Sequence, residues 1–105
     1  MINRTLLDSL KNQLSQLYGD TLVKLVLFGS HANNLSNADS DVDILVVLNK
    51  TSVESFKEID FLTDKTYSWA MENNLLLSFV PMSFEQYKIG RTPLLHFIRN
   101  EGVDL

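Results

Sequence analysis

The sequence predicts a mixed α+β fold, an α/β arrangement in which a small mixed β-sheet is flanked by helices. Two observations predict it. Apolar residues recur at helical spacing in the first and central parts of the chain, and short, nearly continuous apolar runs stand between those parts. Such runs are typical of strands buried on both faces. With 105 residues, 45% of them hydrophobic, residues 1–105 are expected to form a single domain around one core.

The predicted elements are, in chain order, a helix over residues 3–18, strands over 22–28 and 42–48, a helix over 52–73, a strand over 75–80, a short helix that begins at Ser83 and a last helix over 93–101. Gly19 ends the first helix, and Gly29 ends the first strand. Residues 31–40 are small and polar, which indicates one helical turn followed by a loop.

Capping and stop residues bound the elements of the second half. Thr51–Glu54 has the pattern of a capping box and is expected to start the long helix. Pro81 is expected to stop the third strand. Pro93 suits the first position of the last helix, which Gly102 ends. Aromatic residues at helical spacing in the long helix are expected to pack against the core; they are Phe56, Phe61, Tyr67 and Trp69.

The residues that carry chemistry flank the loop between the first two strands. Gly29 and Ser30 follow the first strand, and Asp41 and Asp43 open the second, with ten residues between Ser30 and Asp41. Because side chains alternate across a strand, the two aspartates share a face and can share a divalent cation. A Gly-Ser pair at a strand end offers backbone N–H groups and a hydroxyl to a phosphate. Metal and phosphate together indicate nucleotide chemistry.

The connections are expected to bring these residues to one edge of the sheet. Ten residues are few for a parallel crossover, so the first two strands are expected to be antiparallel neighbours. The helix over 52–73 is about 30 Å long at about 1.5 Å per residue, which returns the chain and makes the third strand parallel to the second. The beginning of the third strand, residues 75–78, is therefore expected beside Asp41 and Asp43.

Composition and charge narrow the possible partners. The chain contains no cysteine, so disulfides and thiolate zinc sites are excluded. Its formal net charge is −4 and it has no cluster of Lys or Arg, so no nucleic-acid substrate is expected. The N-terminal residues lack the pattern of a secretory leader, and no apolar stretch has the length that spans a bilayer. A cytoplasmic protein that does not bind membranes is therefore expected.

The order and context of these features resemble the nucleotidyltransferases of the DNA polymerase β superfamily, and the chain length and ten-residue spacer resemble its minimal branch. The resemblance implies that Gly29 and Ser30 bind the triphosphate of ATP. It implies that Asp41 and Asp43 are catalytic and hold Mg²⁺ or Mn²⁺. Stand-alone members of this kind resemble antitoxins that adenylylate a tyrosine of helical HEPN toxins. AMP transfer to a HEPN-type partner protein is therefore the implied function.

Three positions depart from the family pattern. His31 stands where the family often has arginine, and Asn34 stands where glycine is common. The full catalytic site takes a third carboxylate from the third strand, as general base and metal ligand, whereas Ser78 occupies the best-placed position here. Three secondary candidates follow: Ser78 itself, Glu72 as a substitute carboxylate, and His31 as either a phosphate contact or an exposed residue at the start of a turn.

Two alternatives stay open at this stage. With serine in place of the third carboxylate, the domain can be a catalytically weak or inactive nucleotide-binding antitoxin that acts by contact. The other alternative is a small-molecule nucleotidyltransferase, for example one that modifies an aminoglycoside. That class uses an additional acceptor-binding domain, which these 105 residues do not provide.

Overall fold

The computed structural model of the protein describes residues 2–32 and 41–105. The described elements are, in chain order, α1 (Arg4–Tyr18), a 3₁₀ turn (Gly19–Thr21), β1 (Leu22–Phe28), β2 (Val42–Leu48), α2 (Ser55–Glu72), β3 (Leu77–Ser83), α3 (Phe84–Ile89), α4 (Pro93–Glu101) and β4 (Val103–Asp104). β4 was not predicted, because two residues are too few to carry a periodic signal. Among the described helices, none combines the length and the apolar character needed to cross a bilayer.

The four strands form one mixed sheet in the order β3-β2-β1-β4. β1 and β2 are antiparallel, with Phe28 opposite Asp43. β2 and β3 are parallel, with Ser78 beside Asp43. The short β4 pairs with β1 in the antiparallel direction. The predicted fold class and both predicted strand orientations are therefore confirmed.

Apolar side chains cover both faces of the sheet. On one face, Leu14 of α1 and Leu62 of α2 belong to the same buried cluster as Ile44 of β2. On the other face, Leu45 of β2 packs in a second cluster with Ile98 of α4. Neighbouring residues of β2 thus serve two different core layers, which explains why the strand is apolar at almost every position.

The start of α2 differs from the prediction. The helix begins at Ser55 with Glu54 as its N-cap, and no side chain caps it. Glu54 is extended (φ −86°, ψ 105°), so the chain becomes helical too late for the hydroxyls of Thr51 and Ser52 to reach the first helical N–H groups. The predicted capping box was therefore wrong.

The aromatic side chains of α2 divide into two groups. Trp69 packs against the core and donates a hydrogen bond to Ser9 Oγ of α1 (3.0 Å), as expected of a packing residue. Phe61 is partly exposed and meets the Tyr18 ring edge-on. Phe56 and Tyr67 are largely exposed, so the prediction that they pack against the core was wrong.

β3 starts later and ends later than predicted. It spans Leu77–Ser83, and Pro81 lies within it beside Val46 of β2. The expected stop at Pro81 was wrong because β3 is an edge strand of the described sheet, where a missing N–H group is tolerated. Ser83 then caps α3 in a capping box with Gln86, as predicted. Pro93 and Gly102 bound α4, also as predicted.

A polar cluster ties α1 to α2 at the end of the sheet away from Asp43. Tyr18 donates a hydrogen bond to Glu58 (2.7 Å), and Lys50 forms an ion pair with the same carboxylate. Burial acts to raise the pKa of Glu58, but the hydrogen bonds from Lys50 and Tyr18 and the charge of Lys50 outweigh it and hold the pKa below its usual value. The ionised form of Glu58 therefore stabilises the folded state.

We expect this stabilisation to disappear in acid. A carboxylate whose pKa is lowered by folding contributes stability above its unfolded pKa, about 4.5, and the contribution is lost as the pH falls through the folded value. Urea unfolding of the wild type and Glu58→Gln between about pH 7 and about pH 3 tests this. The difference in free energy of unfolding between the two proteins should shrink below about pH 4.5. A difference that stays constant would contradict the assignment.

Candidate functional site

The end of β1 turns sharply at Gly29. Its φ of +79° lies in the left-handed region that favours glycine. A Cβ at this position would collide with the carboxylate of Asp43, so only glycine allows the backbone to pass so close to it. The Ala32 N–H donates to the Gly29 carbonyl oxygen (3.1 Å) and closes a turn. The turn places the backbone of Gly29 and Ser30 beside Asp43.

The two aspartates lie where β2 begins, at the same edge of the sheet. Asp41 is exposed and precedes the strand, and Asp43 is half-buried within its first residues. Burial, first, and the neighbouring charge of Asp41 raise the pKa of Asp43. A hydrogen-bonding contact with Ser78 acts in the opposite direction without cancelling the rise. The pair of like charges is electrostatically unfavourable unless a cation is shared between them.

The residues at this edge fit a divalent cation held together with a substrate. Mg²⁺ is usually bound by one or two carboxylates and by phosphate oxygens of the substrate, in addition to water. Asp41 and Asp43 supply two carboxylates. Within residues 2–32 and 41–105 no group of three acidic, histidine or cysteine side chains forms a closed metal site. Two carboxylates at one sheet edge therefore fit a cation that also binds phosphate oxygens of a substrate.

The secondary candidates are not all brought to this edge. Ser78 is beside Asp43 in the parallel register of β3 and contacts its carboxylate. Glu72 is the last residue of α2 and is exposed, whereas the carboxylate that raises the pKa of Asp43 is that of Asp41. Of the remaining positions, Asn34 lies outside the described residues.

His31 is buried, with 7% of its surface exposed, so the expectation of an exposed residue was wrong. Its Nδ1 accepts a hydrogen bond from the Ile2 N–H (3.0 Å). Ile2 is itself buried in the core cluster that contains Leu14. This contact joins residues 29 positions apart and involves a backbone group, so no residue spacing could have indicated it. His31 thus links the segment before α1 to the turn that follows β1.

One known protein and two solved structures are similar to the chain over nearly its whole length. The "Putative protein adenylyltransferase MJ0141" of Methanocaldococcus jannaschii is 24% identical over 100 residues, which cover 95% of each protein. A crystal structure of a toxin-antitoxin with AMP-PNP has a TM-score of 0.65 at 16% identity, covering 98% of this chain and 72% of that one. A tyrosine-to-alanine variant of the toxin-antitoxin MntA-HpeT has a TM-score of 0.64 at 17% identity, covering 100% and 72%.

The family model of the nucleotidyltransferase domain matches residues 7–102. This range begins in α1, contains the Gly29 turn and both aspartates, and ends directly after α4. The similarity of fold to the toxin-antitoxin structures agrees with the match. The chain therefore belongs to the nucleotidyltransferase domain family.

Proposed function

We propose that this nucleotidyltransferase acts as a single minimal domain and transfers AMP from ATP to a tyrosine hydroxyl of a HEPN-type helical toxin, which it thereby neutralises. One observation carries the proposal: the Gly29 turn and the carboxylates of Asp41 and Asp43 meet at a single sheet edge. Two comparisons support it. The curated relative carries the name of a protein adenylyltransferase, and the solved structures of similar fold are toxin-antitoxin pairs, one of them with AMP-PNP.

In this proposal the Gly29 turn binds the triphosphate. The backbone N–H groups after β1 and the Ser30 hydroxyl donate hydrogen bonds to phosphate oxygens. Glycine at position 29 keeps the turn close to Asp43, so that phosphate and carboxylates lie within reach of one cation. Asp41 and Asp43 hold Mg²⁺ or Mn²⁺, which when bound neutralises charge on the reacting and departing phosphates.

The transfer forms a bond between the tyrosine oxygen and the α-phosphorus of ATP. The bond from that phosphorus to the oxygen bridging the α- and β-phosphates breaks, and pyrophosphate leaves. The tyrosine proton must pass to a base near Asp43. Ser78 contacts Asp43 but has no ionisable side chain to accept that proton, so we expect slow transfer by this chain.

The acidic balance of the chain supports a protein acceptor. A formal net charge of −4 disfavours approach of an RNA or DNA backbone.

A second candidate function is favoured by Ser78. If the hydroxyl at this position does not support transfer, the domain binds nucleotide and inhibits the toxin by contact alone. Contact inhibition needs the interface between the two proteins but not the chemistry at Asp43.

Asp43→Asn is expected to reduce the rate of AMP transfer by about 100-fold or more. A bound metal ion stabilises the transition state by several kcal/mol, and about 1.4 kcal/mol corresponds to a tenfold change in rate. The fold should be retained, since the change preserves shape and removes repulsion with Asp41. Transfer of label from ATP and calorimetry of ATP binding with Mg²⁺ measure the effect. Asp20→Asn, an exposed change at the far end of β1, is the control. Equal transfer by Asp43→Asn and the wild type would overturn the assignment.

Ser78→Asp is expected to increase transfer, because a positioned general base contributes about 10²–10⁴ in rate. The added carboxylate lies beside Asp43, so the variant should also be stabilised by Mg²⁺ more strongly than the wild type in thermal unfolding. Ser52→Asp, at an exposed position before α2, is the matched control. No gain in transfer, together with an inactive Glu72→Gln, would show that Glu72 already serves as the base.

The acceptor is tested by offering radiolabelled ATP with the HEPN-type protein, with bulk RNA and with aminoglycosides. We expect label on a tyrosine of the protein, identified by mass spectrometry. Label confined to the RNA or the drug would contradict the proposal. A stable complex without label in any acceptor would support the contact antitoxin instead.

A further inference from the structure

His31 joins the turn after β1 to the segment that precedes α1. Its side chain is buried (7% exposed), and Nδ1 accepts a hydrogen bond from the Ile2 N–H (3.0 Å). A backbone N–H can only donate, so the ring atom at this position has to be an acceptor. The contact is itself buried, where a donor without a partner is costly, so it holds the imidazole in one orientation.

The donor of this hydrogen bond is held firmly. Ile2 is 4% exposed and packs in the core cluster under α1 and α2. The next residue, Asn3, caps α1. Its side chain accepts from the Leu6 N–H (2.9 Å), and its carbonyl oxygen accepts from the Leu7 N–H (3.1 Å). The Ile2 N–H is therefore presented from the end of a 15-residue helix that packs in the core.

The turn on the other side of His31 pivots at Gly29. This residue has a φ of +79° and lacks the side chain that restricts the backbone of other residues. The Ala32 N–H closes the turn on the Gly29 carbonyl oxygen (3.1 Å). His31 directly follows Ser30, so the buried imidazole limits the rotation of the Ser30 backbone. His31 thus restricts the turn where Gly29 cannot.

We propose that His31 is a positioning residue for the nucleotide, and that through the Ile2 N–H it braces the turn that presents Gly29 and Ser30 to the triphosphate. The inference rests on the proposed binding of nucleotide at this turn. Preorganisation raises affinity because less conformational freedom is lost on binding. The contact with Ile2, rather than a direct contact between the ring and phosphate, therefore sets the nucleotide affinity.

His31→Leu and His31→Asn form a matched pair. The two new side chains have the same shape, but only asparagine can place an acceptor oxygen where Nδ1 stands. We expect His31→Leu to weaken binding of AMP-PNP with Mg²⁺ by about fivefold or more in calorimetry, and His31→Asn to restore most of the affinity. Equal affinities of the two variants would overturn the inference.

A loss of stability alone is controlled by Leu14→Val. This change loosens the same core cluster farther along α1 and should leave the affinity for AMP-PNP as it is in the wild type. Thermal unfolding of every variant sets a titration temperature at which all of them are folded. A weakening by Leu14→Val as large as that by His31→Leu would show that His31 acts only through stability.

Ile2→Pro removes the donor instead of the acceptor, since proline has no N–H. Ile2→Val is its matched control because it keeps the N–H with an apolar side chain of similar size. Ile2→Pro should bind AMP-PNP about fivefold more weakly than Ile2→Val. Combined with His31→Leu, the change to proline should cause no further loss, because the hydrogen bond is already absent. A loss in His31→Leu without one in Ile2→Pro would show that the ring contacts phosphate directly, which contradicts the inference.

The coupling between the contact and the turn must act in both directions. Bound AMP-PNP with Mg²⁺ should therefore slow hydrogen exchange of the Ile2 amide by about fivefold or more, measured by NMR. The Leu105 amide, which donates to the Leu25 carbonyl oxygen (3.0 Å), is the reference and should change less. Unchanged exchange of the Ile2 amide in protein that binds AMP-PNP would refute the coupling.

These measurements separate the inference from the proposed function. Equal binding of AMP-PNP by the wild type and His31→Leu would refute the positioning role and leave nucleotide binding intact. No binding by the wild type would overturn the proposed function and the inference with it. The expected responses of the His31 and Ile2 variants, without AMP transfer to any acceptor, would support the inference and favour the contact antitoxin as the function.

Discussion

The close approach of the Gly29 backbone to the Asp43 carboxylate is the constraint on which the candidate site depends. Position 29 needs a positive φ to turn the chain and an absent side chain to make room for the carboxylate, and only glycine satisfies both. The same contact brings the backbone of the turn next to an acidic pair. A cation and a polyphosphate, which carry opposite charges, can therefore be bound close to each other.

The packing of the sheet protects this arrangement. Residues of β2 alternate between two buried clusters, one under α1 and α2 and one under α4. A register slip of one residue would exchange the two layers and turn Asp43 to the other face. The free-energy cost of such a slip arises at every residue of the strand. Asp43 is half-buried, and its pKa is raised by burial and by Asp41. The apolar contacts of its neighbours in β2 can thus hold it in place.

Periodicity predicted the elements that are long or fully buried. The spacing of leucines defined α1, the apolar runs defined β1 and β2, and connection lengths gave their orientations, which the register confirms. The juxtaposition of Gly29 with Asp43 follows from that antiparallel pairing. The family resemblance added what periodicity could not supply, namely the reaction and the roles of the residues.

The errors arose where tertiary contacts outweigh local preference. Pro81 is an effective stop inside a sheet but not in an edge strand, so β3 runs through it. A capping pattern at Thr51–Glu54 is not used, because the chain stays extended up to Glu54. The buried position of His31 depends on the backbone of Ile2, a partner that no residue pattern encodes.

Because the Ile2 N–H is hydrogen-bonded to His31, Ile2 lies alongside the turn that follows β1. The last residue, Leu105, by contrast donates its N–H to the carbonyl oxygen of Leu25, in the interior of β1 (3.0 Å). An affinity tag fused ahead of Ile2 would emerge next to the Gly29 turn, and one fused after Leu105 would emerge farther from that turn, along β1. The end at which a tag is fused can therefore affect the candidate site. A tag rich in histidine placed ahead of Ile2 would bring additional metal ligands towards Asp41 and Asp43.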